Sequence, residues 1–140
     1  MADKLLLDIN VCLDFLIDRK PYSNASGQLF ELGEKGKTEL VVSGLSFDTL
    51  FYLMRPSMGA ANATNLLRTF QKHIKIGTVD STVVKKALNA NWKDLEDALH
   101  YYCALQSGCK FLITRNKKDF NVSENKLTVL TPEEYLDQIK

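Results

Sequence analysis

The stretch Leu5-Leu6-Leu7-Asp8-Ile9-Asn10-Val11 decides the fold, because an apolar run ends there abruptly in a carboxylate and an amide. Such a run is typical of a buried parallel strand, and the acid that follows it lies at the rim of the sheet, where a ligand can reach it. A second acidic stretch, Asp94-Leu95-Glu96-Asp97-Ala98-Leu99, opens a helix far along the chain. If both stretches meet at one rim, their carboxylates repel one another and a divalent cation relieves the repulsion. Oxygen ligands of this kind favour Mg²⁺ or Mn²⁺ over zinc.

Composition predicts a single globular domain over residues 1–140. The chain has 140 residues, of which 45% are hydrophobic and 25% charged, and this is enough for one sizeable core. No apolar stretch approaches the roughly 18 residues that span a membrane, and Met1-Ala2-Asp3-Lys4 does not lead into a signal-peptide cleavage region. We therefore expect a cytoplasmic protein with no membrane partner. The net charge of +1 argues neither for nor against nucleic acid.

The three cysteines, Cys12, Cys103 and Cys109, form no Cys-x-x-Cys pair. Neither a disulfide framework nor a thiolate zinc site is indicated, and we interpret the cysteines as small core hydrophobes. His73 and His100 fall outside the acidic stretches and are expected on helix surfaces or edges.

Strand and helix patterns alternate along the chain with short connections, which is typical of an α/β fold. The helix after the second strand is expected to end near Pro56, the next to cover residues 59–74, and a later one to run from Asp94 to Gly108. Right-handed crossovers make the strands parallel. The prediction is a three-layer α/β/α sandwich around a central, mainly parallel sheet of four to five strands. The expected strands cover residues 4–7, 40–42, 76–79, 111–114 and 127–130.

Polar side chains collect at one predicted rim, the carboxyl end of the sheet. Asp8 ends the first strand, Asp48 and Asp97 lie in first helical turns, and Thr114, Asn116 and Asp119 follow the fourth strand. Each acid alone has a simpler interpretation, because Asp8 and Asp94 suit helix caps and Asp48 and Asp97 suit the positive end of a helix dipole. The convergence of all of them is what indicates a site.

The residues resemble the PIN domain family, and within it the VapC-like toxin ribonucleases. The segment from Leu6 to Tyr22 resembles the family's opening motif, Asp94-Leu95-Glu96-Asp97-Ala98-Leu99 its third, and Ile113-Thr114-Arg115-Asn116-Lys117-Lys118-Asp119-Phe120 its fourth. The second motif departs from the pattern, because the acid aligns nearer Thr49 than Asp48. Asn116 stands where many relatives carry Asp.

The resemblance implies a Mg²⁺- or Mn²⁺-dependent endoribonuclease, which is a candidate toxin of a toxin–antitoxin pair. Its partners would be an RNA substrate, a small antitoxin and a second copy of the chain. Asp8 and Asp97 would bind metal, with Asp48, Asn116 and Asp119 as further catalytic candidates. Asn10, Thr114 and Asp94 would support the site, and Arg115, Lys117 and Lys118 would contact the RNA backbone.

Two other interpretations stay open. An eroded PIN-like domain would bind RNA or protein without cleaving it, as the offset at Asp48 and the amide at Asn116 allow. The Asp8-Ile9-Asn10-Val11 segment also resembles the opening motif of haloacid-dehalogenase-like phosphatases, in which Asp8 would become phosphorylated, although their second aspartate is Asn10 here.

Overall fold

Five parallel strands form the central sheet in the computed structural model, which describes residues 2–120 and 126–140. The order across the sheet is β3-β2-β1-β4-β5. Neighbouring strands pair in parallel throughout, so the predicted sheet is confirmed. The strands are β1 Asp3–Leu7, β2 Thr38–Ser43, β3 Lys75–Gly77, β4 Phe111–Ile113 and β5 Thr128–Leu130.

Helices cover both faces of the sheet. They are α1 Ile9–Leu16, α2 Ser23–Glu34, α3 Gly44–Met58, α4 Ala60–Phe70, α5 Ser81–Ala90, α6 Leu95–Gln106 and α7 Pro132–Gln138. Among the described residues, Gln71–His73 and Lys117–Phe120 form short 3₁₀ turns. Within the described residues, none of the helices is long and apolar enough to cross a membrane.

Alternating side chains of the buried strands divide the core into two layers. Leu5 and Leu7 of β1 pack into the cluster formed with α1, α2, α3, α4 and α7, whereas Leu6 points into the cluster formed with α5 and α6. This alternation follows from the period of two in a strand, and a strand apolar at every position suits burial on both faces. The predicted three-layer α/β/α sandwich is confirmed.

Three of the element ends that differ from the sequence predictions have a clear physical reason. Helix α3 continues through Pro56 to Met58, because a proline near the end of a helix removes a single backbone donor, and Gly59 with φ of 86° then ends it. The helix predicted for 59–74 ends at Phe70 and tightens into a 3₁₀ turn. Strand β3 is shorter than expected and lies at the edge of the sheet, where one neighbouring strand limits its pairing.

All three cysteines are free and buried, as predicted. Burial raises the pKa of the Cys12 thiol well above its usual range and that of Cys109 to about 12. These thiols therefore stay protonated and behave as core side chains near neutral pH.

Gly77 at the end of β3 generates a first prediction. A Cβ there would lie 2.7 Å from Cys103 Sγ on α6 and 3.1 Å from Val41 Cγ1. Gly77→Ala should therefore lower the free energy of unfolding by about 1–3 kcal/mol through overpacking. A Cβ at Gly27 in α2 would meet no atom within 4 Å, so the control Gly27→Ala should stabilise the protein by about 0.5–1 kcal/mol. Urea denaturation of both variants measures the difference, and equal effects would contradict the packing argument.

Candidate active site

The candidate site lies where the connections from the sheet diverge. Strands β1 and β4 are neighbours in the sheet, yet β1 is followed by β2 on one side while β4 is followed by β5 on the other. Such a switch point leaves a crevice at the carboxyl ends of the two strands, because α1 packs on one face of the sheet and the 3₁₀ turn after β4 places Phe120 on the other. Leu7 pairs with Ile113 in register, and the Asp8 N–H donates to the Ile113 carbonyl at 2.9 Å. The residues that follow both strands therefore meet in this crevice.

Asp8 is buried and its two carboxylate oxygens have different partners. Oδ1 accepts a hydrogen bond from the Ile9 N–H at 2.8 Å, which caps α1 as the simpler interpretation requires. Oδ2 accepts one from the Thr114 hydroxyl at 2.8 Å and a long one from Asn10 Nδ2 at 3.5 Å. Capping and site formation are therefore compatible, since each uses a different oxygen.

Thr114 is fully buried and links the two strand ends. Its Oγ1 accepts hydrogen bonds from the Asn116 N–H at 3.1 Å and from Asn10 Nδ2 at 3.4 Å. Asn10 Oδ1 in turn accepts from the Arg115 N–H at 3.4 Å. Because the lone pairs of the Thr114 hydroxyl accept from amides, its single proton goes to Asp8, which fixes the orientation of that carboxylate.

Asp97 carries the clearest electrostatic signal of the site. Partial burial, followed by the charges of Asp94, Asp8, Asp119 and Glu96, raises the pKa of its carboxyl from 3.8 to about 7. The carboxylates that follow β1 and β4 therefore act on the first turn of α6. Asp94 caps that helix through a 3.2 Å hydrogen bond from the Asp97 N–H to its Oδ1.

Asp48 is not brought into this group. Its side chain is exposed on α3, and it is absent from the charges that act on Asp97. The next residue, Thr49, is half-buried and its hydroxyl donates to Glu96 Oε2 at 3.2 Å. One residue along a helix rotates a side chain by about 100°, so the inward position on α3 is Thr49. The sequence had indicated the inward position at Thr49, because the acid of the second motif aligns nearer Thr49 than Asp48.

The three predicted RNA-binding cations differ in their surroundings. The guanidinium of Arg115 binds Asp14 through Nε–Oδ2 at 2.7 Å and Nη2–Oδ1 at 3.2 Å, and it lies 3.8 Å from the centre of the Tyr22 ring. Lys117 pairs with Glu134 of α7 at 3.0 Å, and Lys118 is exposed with no ion pair in the described part of the chain.

Asp14 is a structural residue that sequence reasoning missed. Its buried carboxylate also accepts from Arg19 Nε at 2.9 Å, so it is shared by two arginines that lie far apart in sequence. Arg115 belongs to the loop after β4 and Asp14 to α1, so this pairing holds the site loop against the first helix. The sequence offered no signal for it beyond an acid on the apolar face of α1.

The prediction that His100 lies on a helix surface or edge is wrong. His100 is fully buried in α6, and neither ring nitrogen has a hydrogen-bond partner among the residues that the structure describes. Burial lowers its pKa, while the charges of Asp8, Glu96 and Asp94 act in the opposite direction. His73 is exposed as expected, with Nδ1 at 3.5 Å from Glu34 Oε1.

The donor set is chemically suited to a hard cation but is an incomplete coordination shell. Over residues 2–120 and 126–140, no group of three or more His, Cys, Asp or Glu side chains is arranged closely enough to hold a metal by itself. Mg²⁺ usually keeps several waters and takes only one or two protein carboxylates, so Asp8 and Asp97 fit that pattern. Buried polar atoms are normally hydrogen-bonded, and the two ring nitrogens of His100 are exceptions in the described part of the chain.

The chain belongs to the PIN domain family, whose model matches residues 4–118. A curated relative, Ribonuclease VapC1 of Aquifex aeolicus, is 25% identical over 142 residues, covering 98% of this chain and 96% of the relative.

Solved structures share the fold at lower identity. DNA-bound VapBC from Salmonella typhimurium matches with a TM-score of 0.72 at 15% identity, covering 94% of this chain and 99% of that one. A toxin–antitoxin complex from Klebsiella pneumoniae matches with a TM-score of 0.67 at 21% identity, covering 91% and 97%.

Asp97 generates a second prediction, on the metal-free protein. Its pKa is higher in the folded state, about 7, than the ordinary value of 3.8, so the folded protein holds an extra proton between those values. Stability should therefore fall as pH rises through this window. Asp97→Asn removes the effect, so at pH 8 its free energy of unfolding should exceed that of wild type by about 1 kcal/mol, a value kept small because partial exposure screens the charge. Thermal unfolding at several pH values measures the difference. At pH 4 the two proteins should agree, and a constant difference across the pH range would contradict the raised pKa of Asp97.

Proposed function

We propose that the protein is a metal-dependent endoribonuclease that hydrolyses RNA phosphodiester bonds with Mg²⁺ or Mn²⁺. The observation that carries the proposal is the raised pKa of Asp97, which is caused first by partial burial and then by nearby carboxylates, among them Asp8 and Asp119 after two adjacent strands. Such a perturbed group in a crevice at a topological switch point is a functional-site candidate. Membership of the PIN domain family and the likeness to a protein named a ribonuclease support the same activity.

Asp8 and Asp97 would bind the metal. A bound divalent ion lowers the pKa of a coordinated water and stabilises charge on the phosphate oxygens. Asp8 would bind the metal through its carboxylate, whose Oδ2 is held in direction by the Thr114 hydroxyl. Asp97 would lose its proton on binding, because its carboxyl holds one up to about pH 7. Asp119, on the 3₁₀ turn after β4, would add negative charge, since it is among the charges that act on Asp97.

Phosphate contacts would come from the loop after β4. Asn116 is exposed beside Thr114, and Lys117 and Lys118 follow it. Of these cations Lys118 is the most available for an RNA phosphate, while Lys117 would have to leave Glu134. The guanidinium of Arg115 is bound to Asp14 and would contribute mainly by holding the loop.

We further propose that the protein is the toxin of a toxin–antitoxin pair. The similar structure from Klebsiella pneumoniae is named a toxin–antitoxin complex. In this chain an apolar groove between α1, α2 and α4 is lined by Phe15, Phe30 and Phe70. We propose a small antitoxin as partner, a homodimer as the assembly and the cytoplasm as the location. Co-expression with the neighbouring reading frame and light scattering of the purified protein test the first two.

Asp8→Asn tests the proposed chemistry. The substitution keeps the side-chain volume but removes the charge that would bind the metal, so Mn²⁺-dependent cleavage of a labelled RNA panel should fall at least about 100-fold. Oligonucleotide release is measured with Mn²⁺ and with EDTA, with circular dichroism to show that the fold is intact. Asp137→Asn on α7, an exposed acid paired only with Lys140 at 3.6 Å in the described part of the chain, is the control and should cleave like wild type.

Two outcomes would redirect the proposal. If wild-type protein free of inhibitor cleaves no RNA in the panel, the eroded PIN-like interpretation replaces the nuclease. If Asp8→Asn cleaves as well as Asp137→Asn, the activity does not come from this crevice.

A further inference from the structure

We propose that the ring of Tyr22 stacks against one unpaired base of the RNA substrate and that Arg115 holds the ring in place for this contact. The inference rests on the proposed ribonuclease function and adds a residue that positions the substrate. Tyr22 lies at the N-cap position of α2, after the segment that follows α1. The residue belongs to neither apolar cluster of the core, and 42% of it is exposed. An exposed aromatic ring can contact a flat, partly apolar ligand such as a base.

One face of the Tyr22 ring is covered by the guanidinium of Arg115, whose central carbon lies 3.8 Å from the ring centre. That guanidinium is itself fixed, because it donates to Asp14 Oδ2 at 2.7 Å and to Oδ1 at 3.2 Å. Asp14 is almost fully buried, so breaking this pair would leave a costly unpaired charge. The exposed surface of the ring therefore lies away from Arg115, and the ring is held before a ligand arrives, which lowers the entropy cost of binding.

The loop after β4 places this ring beside the candidate active site. Thr114 donates to Asp8 Oδ2 at 2.8 Å, and the N–H of the next residue, Arg115, donates to Asn10 Oδ1 at 3.4 Å. The backbone of Arg115 therefore lies in the crevice, while its side chain extends to Tyr22. Because one arginine side chain separates the two, a base on the ring belongs to a nucleotide close to the scissile phosphate.

The charge beside the ring favours RNA as the occupant. Arg19 and Arg115 share the carboxylate of Asp14, so these three side chains carry two positive charges and one negative charge. Both arginines are partly open to water, with side chains 39% and 25% exposed, and phosphates can therefore approach them. Proteins bind single strands by combining cations for the phosphates with aromatic rings for the bases. Since every base has a π-face, this contact selects for an unpaired nucleotide and not for one particular base.

The decisive variant is Tyr22→Leu, which keeps an apolar side chain but cannot stack. With an unstructured RNA that the wild type cleaves in Mn²⁺, KM should rise about tenfold while kcat stays within about twofold, because the lost contact holds substrate and transition state alike. Tyr22→Phe keeps the ring and should match wild type. Tyr52→Leu on α3 is the matched control, since Tyr52 is also exposed and has Arg55 over its ring at 5.5 Å. It should leave both constants within about twofold of wild type.

RNA with a single abasic nucleotide tests the contact from the side of the substrate. Scanning the abasic nucleotide along the strand should reveal one position near the cleavage site where wild type loses about tenfold in kcat/KM. At that position the loss should nearly vanish in Tyr22→Leu, because the partner ring is already gone. A purely structural role of Tyr22 would give the same abasic loss in both proteins, and this result would overturn the proposal.

Binding of a fluorescein-labelled oligouridylate in EDTA, followed by anisotropy, separates this inference from the proposed function. If wild type cleaves RNA and Tyr22→Leu matches Tyr52→Leu in both assays, the nuclease stands and the stacking role is wrong. If wild type binds RNA without cleaving any, and Tyr22→Leu binds about tenfold more weakly than Tyr52→Leu, the stacking role stands and the nuclease is wrong. If wild type neither cleaves nor binds RNA, both proposals are wrong.

Discussion

The hydrogen bond from the Thr114 hydroxyl to Asp8 joins the ends of two parallel strands, and the geometry of the crevice depends on it. A buried carboxylate is costly unless its oxygens are bonded, and here one oxygen caps α1 while the other accepts from the residue after β4. The carboxylate is therefore fixed in direction before any ligand arrives. The Asn10 amide contacts the same two groups, with Nδ2 at 3.5 Å from Asp8 Oδ2 and 3.4 Å from Thr114 Oγ1.

The second constraint at the site is electrostatic, and it concerns the carboxyl group of Asp97. Partial burial, followed by the charges of Asp94, Asp8 and Asp119, raises the pKa of Asp97 to about 7, so its carboxyl keeps a proton below that pH in the metal-free protein. A bound cation would favour its charged form. Such an arrangement sacrifices stability of the metal-free fold, which is a common feature of functional sites. The fold tolerates it because the strands beneath are apolar and pack on both faces.

Local patterns in the sequence were sufficient for most of the fold. The apolar runs at Leu5 to Leu7 and at Phe111 to Ile113 have a single reasonable interpretation, and parallel order follows from the crossovers between them. A meeting of Asp8 and Asp97 at one rim is also predicted from strand ends and helix starts, and the charge of Asp8 acts on Asp97, while their metal-binding roles stay predictions. Side-chain partnerships across long sequence distances could not be predicted. Whether α3 presents Asp48 or Thr49 depends on helix rotation, and the burial of His100 depends on the sheet packed against α6.

The two arginines that bind Asp14 affect which side of the crevice is held more firmly. Arg115 binds it from the loop after β4 and Arg19 from the segment after α1, so that loop and the first helix are fastened together through a buried charge. On the other side, α3 and α6 are linked near the pocket by the bond from Thr49 to Glu96, which is partly open to water. The α1 side of the crevice is therefore held by charge-assisted hydrogen bonds to a buried carboxylate, whereas α3 and α6 are joined near it by a single-hydroxyl contact for which water can compete. Separating α3 from α6 should cost less free energy than separating the loop after β4 from α1.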